Sequence, residues 1–328
     1  MRSNKNMGLY QSRLKISHVL AALVFAFIYV NIPWESLYSM PFKDRQNYYD
    51  YLTYGQSVLS YLTFDRMLDY LLGEWLWHYI LDNLIRNEFL TAESFFNYIS
   101  FSLVFAYSLI VLSKANPIYL LFLFNPLVVD FGFTQLRHAL SMVLIVTALF
   151  VRSRSIRIAV LALSSLIHTS AILFIGLYFF STWSVSNYLN NGKLHALRNK
   201  IIIASACISL AIGPALSVVL AWIGDRRSGD KDLSSSVSYL SFWIIVSFLF
   251  MLNLKRIQLN VFAILSLILL LTVAMTVITK GYSLRLLSVL FPFFIVLTAN
   301  SAPRIRIPVV GVFLFYSIVQ WMYWFRII

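Results

Sequence analysis

The chain has 328 residues, of which 60% are hydrophobic, 16% aromatic and only 12% charged, with a mean hydropathy of +0.77. Soluble domains run closer to about 45–50% apolar and about 25% charged, so this composition excludes an ordinary water-soluble enzyme. The net charge of +13 falls mostly in short basic clusters between apolar runs, which is the pattern of cytoplasmic loops and not of a nucleic-acid binder.

In chain order, apolar runs long enough to span a bilayer, roughly 20 residues each, cover 16–33, 94–113, 201–222, 237–253, 259–279, 284–300 and 308–325. Arg2, Lys5, Arg13 and Lys15 precede the first run, and Pro33-Trp34 follows it without a small-residue cleavage site. It reads as an uncleaved first span with a cytoplasmic N-terminus (1–15), which places 34–93 outside the membrane. Within that outer region, residues 67–90 carry Asp69, Glu74, His78, Asp82 and Arg86 among apolar residues. Each charge costs about 2.5–3.5 kcal/mol at the centre of a span. The stretch therefore predicts an amphipathic or re-entrant helix, with Glu74/His78 and Asp82/Arg86 each on one face at a spacing of four.

Residues 117–130 form a short apolar piece broken by Asn125-Pro126, and 137–151 form another that opens with Arg137-His138. The turn carrying Arg152, Arg154 and Arg157 is a cytoplasmic marker, as are Lys193, Arg198 and Lys200 in a loop at 183–200. Both can be inside only if 156–182 goes in and returns as two short helices with His168 near their turn. A single long span is the simpler alternative. The loop 223–236 then lies outside, and about eleven crossings result. The predicted fold class is all-α, one polytopic membrane domain over 1–328. Cys207, in an apolar run, predicts a small buried hydrophobe, and as the one cysteine it excludes an internal disulfide or a Cys-based zinc site.

Ionisable residues inside membrane segments are functional candidates. Arg137 and His168 each lie about 15 residues from the basic tip near residue 153, which at ~1.5 Å per residue puts both roughly 20–23 Å from the cytoplasmic surface. Arg137, His138 and His168 thus share a depth, unless Arg137 caps a helix and His168 satisfies a carbonyl. Lys280 and Arg285 make a second outer basic pair, where Arg285 snorkels or joins an anion site. A guanidinium presents a planar fork to phosphate oxygens, so Arg137, Arg285 and Arg45 together suit a diphosphate. Asp44, Arg45 and Tyr48 belong to a run of carboxylate, guanidinium, amide and phenol groups suited to sugars, or to an interfacial aromatic belt. Asp230-Lys231-Asp232 has a D-x-D spacing of the kind some metal-dependent glycosyltransferases use, in a Ser/Gly-rich loop where chance also produces it. No nucleotide-binding or metalloprotease motif is present, so the expected cofactor set is empty and no metal is expected.

These residues occur in a recognisable order. Asp44-Arg45 and Tyr48 follow span one, then come Glu74-Trp75, an Asn-Pro run, Arg137-His138-Ala139, a basic turn, and Leu166-Ile167-His168-Thr169-Ser170-Ala171. The order resembles the EpsG-like branch of the Wzy-type O-antigen and exopolysaccharide polymerases, over about residues 16–180. In that family the pattern resembles F-N-x-x-R-Q-x-L-A followed by A-x-x-x-H-x-S-A. Here Thr134 replaces the Asn, His138 the Gln and Ser141 the small Ala.

The resemblance implies a multi-pass enzyme of the bacterial inner membrane with a GT-C-like architecture and its site facing the periplasm. Its donor and acceptor are undecaprenyl-diphosphate-linked oligosaccharide repeat units, and a chain-length regulator protein and membrane lipid are its partners. The growing glycan moves to the non-reducing end of a new repeat unit. The chemistry of the residues agrees: a departing diphosphate needs cations, and the acceptor hydroxyl needs a base, for which the order of choice is His168, Glu74, His138. With no obvious carboxylate pair for a double displacement, inversion is expected. The rival readings are an O-antigen ligase, which usually carries a larger late outer loop, a lipid-linked oligosaccharide flippase or transporter, and more weakly an acyltransferase.

The topology is directly testable. Cysteines introduced at Ser153 and Asn191 should resist a periplasmic thiol reagent in intact cells. Ready labelling at either position would remove the hairpin reading of 156–182.

Overall fold

A computed structural model describes residues 14–37, 42–57, 59, 67–215, 218, 237–279 and 284–326; of residues 43, 67, 68, 72, 237–239, 284 and 285 it describes the backbone alone. Among the described residues the regular secondary structure is helical, apart from one isolated bridge between Ile257 and Ser301. Among the described residues, five helices are long and apolar enough to cross a membrane, or six if one bent pair counts as a single span. Such helices are those of a multi-pass membrane protein. The chain packs as two compact units, Met1–Gly176 with Trp324–Ile328, and Leu177–Tyr323.

The first unit is built around α5 (Ala92–Lys114), whose span window is 67% buried. Thr91 starts it by accepting a hydrogen bond from the Ser94 amide at 3.2 Å, as N-cap threonines do. Against α5 pack α1 (Ile16–Val30), α6 (Pro126–Phe133) and α7 (Leu136–Phe150). Two Asn-Pro pairs act as helix starters. Asn116 caps a short 3₁₀ helix at Pro117–Phe124 and Asn125 caps α6, each accepting from the amide two residues on. Proline at the first helical position has its ring preset and lacks only an N–H that would be unpaired. The apolar piece expected to end at Asp130 thus runs on to Phe133, and α6 meets α7 at a bend of 101°.

α7 and α8 (Arg154–Ile167) form a hairpin about the basic tip expected near residue 153. Ser153 caps α8, and Ser141 on α7 donates to the Ser164 carbonyl on α8 at 3.1 Å. These two serines sit four residues inside Arg137 and His168 respectively, so one hydrogen bond fixes the register that levels the two functional candidates. Along α1, Ile16, Leu20, Val24, Phe27 and Ile28 are exposed, an apolar face suited to lipid and not to water.

Four expectations need correction. Residues 67–90 are not one helix but α3 (Met67–Leu72), α4 (Trp75–Ile80) and a π turn at Leu81–Ile85, because the chain breaks at Gly73-Glu74. Nor is the second half of 156–182 short. The chain does break at His168, whose backbone is extended, but α9 then runs from Ala171 to Asn191 and is long enough to cross a membrane alone. The expected loop at 183–200 is helical almost throughout: α10 (Leu194–Leu210) begins after only Gly192 and Lys193. Gly192 takes the left-handed conformation at φ 63 that closes a helix end. The Lys200 ammonium lies 3.9 Å from the Trp183 ring centroid, which links the two helices. Cys207, expected to be buried, is exposed on α10.

The second unit is built around α12 (Val261–Thr279), also 67% buried in its span window. α10, α11 (Val237–Leu252) and α13 (Leu284–Ala299) pack on it. Ser205 from α10 donates to the Ile268 carbonyl at 3.1 Å, and Ser247 from α11 to the Leu270 carbonyl at 2.9 Å. Small hydroxyl residues at such crossings let backbones approach closely, which drives helix association where apolar lipid supplies no hydrophobic force. α14 (Pro303–Trp324) adds Phe313 and Tyr316 to a cluster with Trp243, Phe291 and Phe294, and Trp243 Nε1 donates to the Tyr316 hydroxyl at 3.1 Å.

Among the described glycines of this unit the tightest is Gly213, where a Cβ would lie 2.7 Å from the Thr279 carbonyl oxygen. Gly213→Ala should therefore lower the thermal unfolding midpoint in detergent, with a loss of about 1–3 kcal/mol, the usual cost of overpacking. An unchanged midpoint would show that the end of α12 can yield.

Candidate functional site: a carboxylate shared by an arginine and a histidine

Three elements of the first unit converge on the Glu74 carboxylate. Glu74 Oε2 pairs with Arg137 Nη1 at 2.5 Å. Its Oε1 pairs with His168 Nδ1 and also accepts from the Thr169 amide at 3.3 Å. Glu74 comes from the break between α3 and α4, Arg137 from the first turn of α7, and His168 from the extended residue that ends α8.

The local backbone explains why Glu74 is available. Its carbonyl accepts the first bonds of α4, from Trp77 and His78, so it stands at the N-cap position. Yet it sits at φ 50, ψ 44, and its side chain makes no capping bond. A non-glycine residue in the left-handed region costs of order 1–3 kcal/mol, and such residues concentrate at functional sites. The conformation turns the carboxylate away from its own helix and onto α7 and α8.

Glu74 and His168 are each only 8% exposed. A buried carboxylate must be paired and hydrogen-bonded, and here both oxygens are. Glu74 lies outside every candidate span. Burial pushes its carboxyl up, but the His168 hydrogen bond and charge, the Arg137 charge and the Thr169 amide together outweigh it and hold the group below the ordinary Glu value. Arg137 keeps a third of its side chain exposed, at 32%. Among the described residues its Nε and Nη2 meet no protein partner, so donors remain for an anionic ligand.

The His138 ring packs edge-on to His168 with centroids 4.8 Å apart, and Phe131 and Phe174 flank it at 5.0 and 5.9 Å. Three of the sequence candidates thus meet in direct contact and His138 adjoins them. The sequence reading missed two neighbours. Thr169 contributes its amide. His78, expected to share a helix face with Glu74, reaches the site on α4 instead; burial, then the Arg137 charge, lower its pKa, against the partial opposition of Glu74 and Asp82. The i,i+4 pattern over 74–78 was the available signal, and the helix break hid its meaning.

The remaining candidates lie differently. Arg45, on α2 (Lys43–Tyr54), is buried. It donates to Asn97 Oδ1 at 3.2 Å, pairs with Glu35 at 3.5 Å and lies 5.9 Å from the Phe96 ring centroid. Those contacts engage it within the fold and not with Glu74. Tyr48 packs its ring on Trp77 and Phe96 at 5.1 and 6.0 Å, beside α4. Asp44 lies near enough to Asp130 for their charges to repel. Lys280, the Arg285 side chain and the Asp230–Asp232 motif fall outside the described residues.

The expected Asp82–Arg86 pair forms at 3.2 Å, and it serves as a latch. Asp82 also accepts from Tyr51 at 3.1 Å and from Ser57, while Arg86 donates to the Gly55 and Tyr51 carbonyls at 2.9 and 3.3 Å. The end of α2 is thereby tied to the π turn that follows α4.

Searches against protein-family models, known proteins and solved structures found no match to this chain.

The depressed Glu74 carboxyl has a signed consequence. Its folded-state pKa lies below the unfolded value of about 4.3, so the stability it contributes is present above that value and is lost as pH falls through the folded one. The wild-type unfolding temperature should drop below about pH 4 more steeply than that of Glu74→Gln, so that their difference narrows on acidification. Parallel curves would show that the carboxylate's pairing does not stabilise the fold.

Proposed function

We propose that this chain is a membrane glycosyltransferase of the EpsG-like, Wzy-type kind, with about eleven crossings and a GT-C-like arrangement. In this reading it extends O-antigen or exopolysaccharide at the periplasmic face of the bacterial inner membrane. With no matching family model, the reading rests on the residues themselves. The observation that carries it is the convergence of Glu74, Arg137 and His168, from three separated segments, with guanidinium donors still open. A buried base beside an arginine with free N–H groups is what a transfer from a lipid diphosphate requires.

The reaction moves one proton and one glycosyl group. The acceptor hydroxyl oxygen attacks the anomeric carbon of the donor, and His168 takes its proton. The bond from that carbon to the diphosphate breaks, and the diphosphate leaves with the electron pair. Arg137 stabilises the charge that grows there, as fixed donors do in a water-poor site. Tyr48, half-buried on α2 with its ring against Trp77, offers an aromatic group for sugar CH groups beside α4. A single displacement of this kind inverts the anomeric centre.

The test is polymer formation. A cell lacking the protein should cap its glycan at one repeat unit; free unligated polymer would indicate a ligase and cytoplasmic lipid-linked units a flippase. With purified protein and lipid-linked repeat units, His168→Ala should slow turnover by about 10²–10⁴-fold, the range for loss of a general base. Arg137→Lys, which keeps charge but loses the fork, should strongly reduce polymer while still inserting. Normal ladders from either variant would overturn the assignment of that residue.

A further inference from the structure

We propose that Glu74 is a positioning residue for His168: it holds the imidazole with its proton on Nδ1 and leaves Nε2 as the basic atom. Arg137 in turn fixes Glu74. This rests on the reading of His168 as the base and adds to it the atom that works and the residues that orient it.

The argument is geometric. Glu74 Oε1 receives two donors, the Thr169 amide at 3.3 Å and His168 Nδ1. The other oxygen receives Arg137 Nη1 at 2.5 Å. A carboxyl group that accepts from a guanidinium and an amide is ionised and has only lone pairs to offer. Nδ1 must then carry the hydrogen, because an unprotonated Nδ1 would face a carboxylate lone pair to lone pair. In the neutral ring this leaves Nε2 as the acceptor. Among the described residues no group hydrogen-bonds Nε2, so a substrate hydroxyl would meet an open lone pair.

The backbone holds the same arrangement. Thr169, whose amide shares Oε1, is the next residue after His168, so imidazole and amide are presented together at the extended break between α8 and α9. The ring plane is limited on another side by His138, edge-on at 4.8 Å and 68°. The titratable groups around the pair are Arg137 and His138 from α7 and His78 from α4. Arg137 disfavours added positive charge, whereas Glu74 favours it. When Nε2 takes a proton the imidazolium lies against the carboxylate, which lowers the cost of the charged state, the logic of any carboxylate–histidine–acceptor relay.

The experiment uses the full-length protein in nanodiscs. Nitrogen-15 spectra of labelled histidine, with His168 assigned by its loss in His168→Gln, report which ring nitrogen carries the proton. The expected result at neutral pH is a protonated Nδ1 and a bare Nε2 in the wild type, and a mixture of tautomers in Glu74→Ala. A proton on Nε2 in the wild type overturns the proposal whatever the variants do. The second readout is the kinetics of polymerisation. Glu74→Gln keeps an acceptor of the same shape but removes the charge. Its kcat should fall by a larger factor than its KM rises. Unchanged kcat with intact folding would make Glu74 merely structural and overturn the proposal. If the tautomer is as expected but the wild type forms no polymer, it is the polymerase reading that fails, and with it the base role assigned to Nε2.

Discussion

The first unit turns on one constraint: a carboxylate buried among apolar helices must be neutralised where it stands. Leaving a buried charge unpaired by removing its partner costs about 3–5 kcal/mol. Glu74 escapes that penalty because Arg137 and His168 reach its two oxygens from two further elements. The interaction therefore works in both directions. It makes the carboxylate tolerable, and it fixes how α4 sits against the α7–α8 hairpin. The left-handed backbone at Glu74 is the strain that this arrangement carries.

The supports around the cluster are polar bonds chosen for register. Ser141 to Ser164 levels the hairpin. The Asp82–Arg86 latch fixes the far end of the α4 segment to α2. Ser100 on α5 donates to the Gly132 carbonyl at 2.7 Å, which seats α6 just before its 101° bend into α7. Each is short in space and long in sequence. The buried serine bonds have no competing water, and together with the part-exposed latch they suffice to choose one packing among several that Leu and Phe contacts alone would allow.

What could be read from the sequence was whatever depends on constant helical rise and on charge at membrane borders. Counting residues from the Arg152–Arg157 tip levelled Arg137 with His168, and both do reach Glu74. The partnership itself was not legible: Glu74 and His168 are 94 positions apart, and Glu74 stood among the candidates as a second-choice base and not as an orienting group. The break at Gly73-Glu74 was missed because a left-handed glutamate has no compositional signature of the kind glycine provides. The loop expected at 183–200 was read from Lys193, Arg198 and Lys200. Charge alone does not interrupt a helix, however, and Lys200 lies against Trp183 instead of projecting from a loop. Arg45 looked like a ligand-binding cation by its neighbours in sequence, while Asn97 and Glu35, which engage it, come from elsewhere in the chain.

Charge accounting within the cluster gives the proposed reaction a direction. In the proposed reaction the negative Glu74 and the positive Arg137 cancel before the proton moves and His168 enters as the neutral base, so the site presents guanidinium donors beside a balanced pair. Once His168 holds the acceptor's proton, the three groups together carry one net positive charge. That charge appears beside Arg137 in the same step in which a leaving diphosphate gains an electron pair. In the low effective dielectric of a buried site the two developing charges attract far more strongly than they would in water. A base placed on the same carboxylate as the leaving-group arginine therefore couples proton removal to departure of the leaving group. A histidine held by a carboxylate remote from Arg137 would take the proton equally well but would leave the diphosphate without that help.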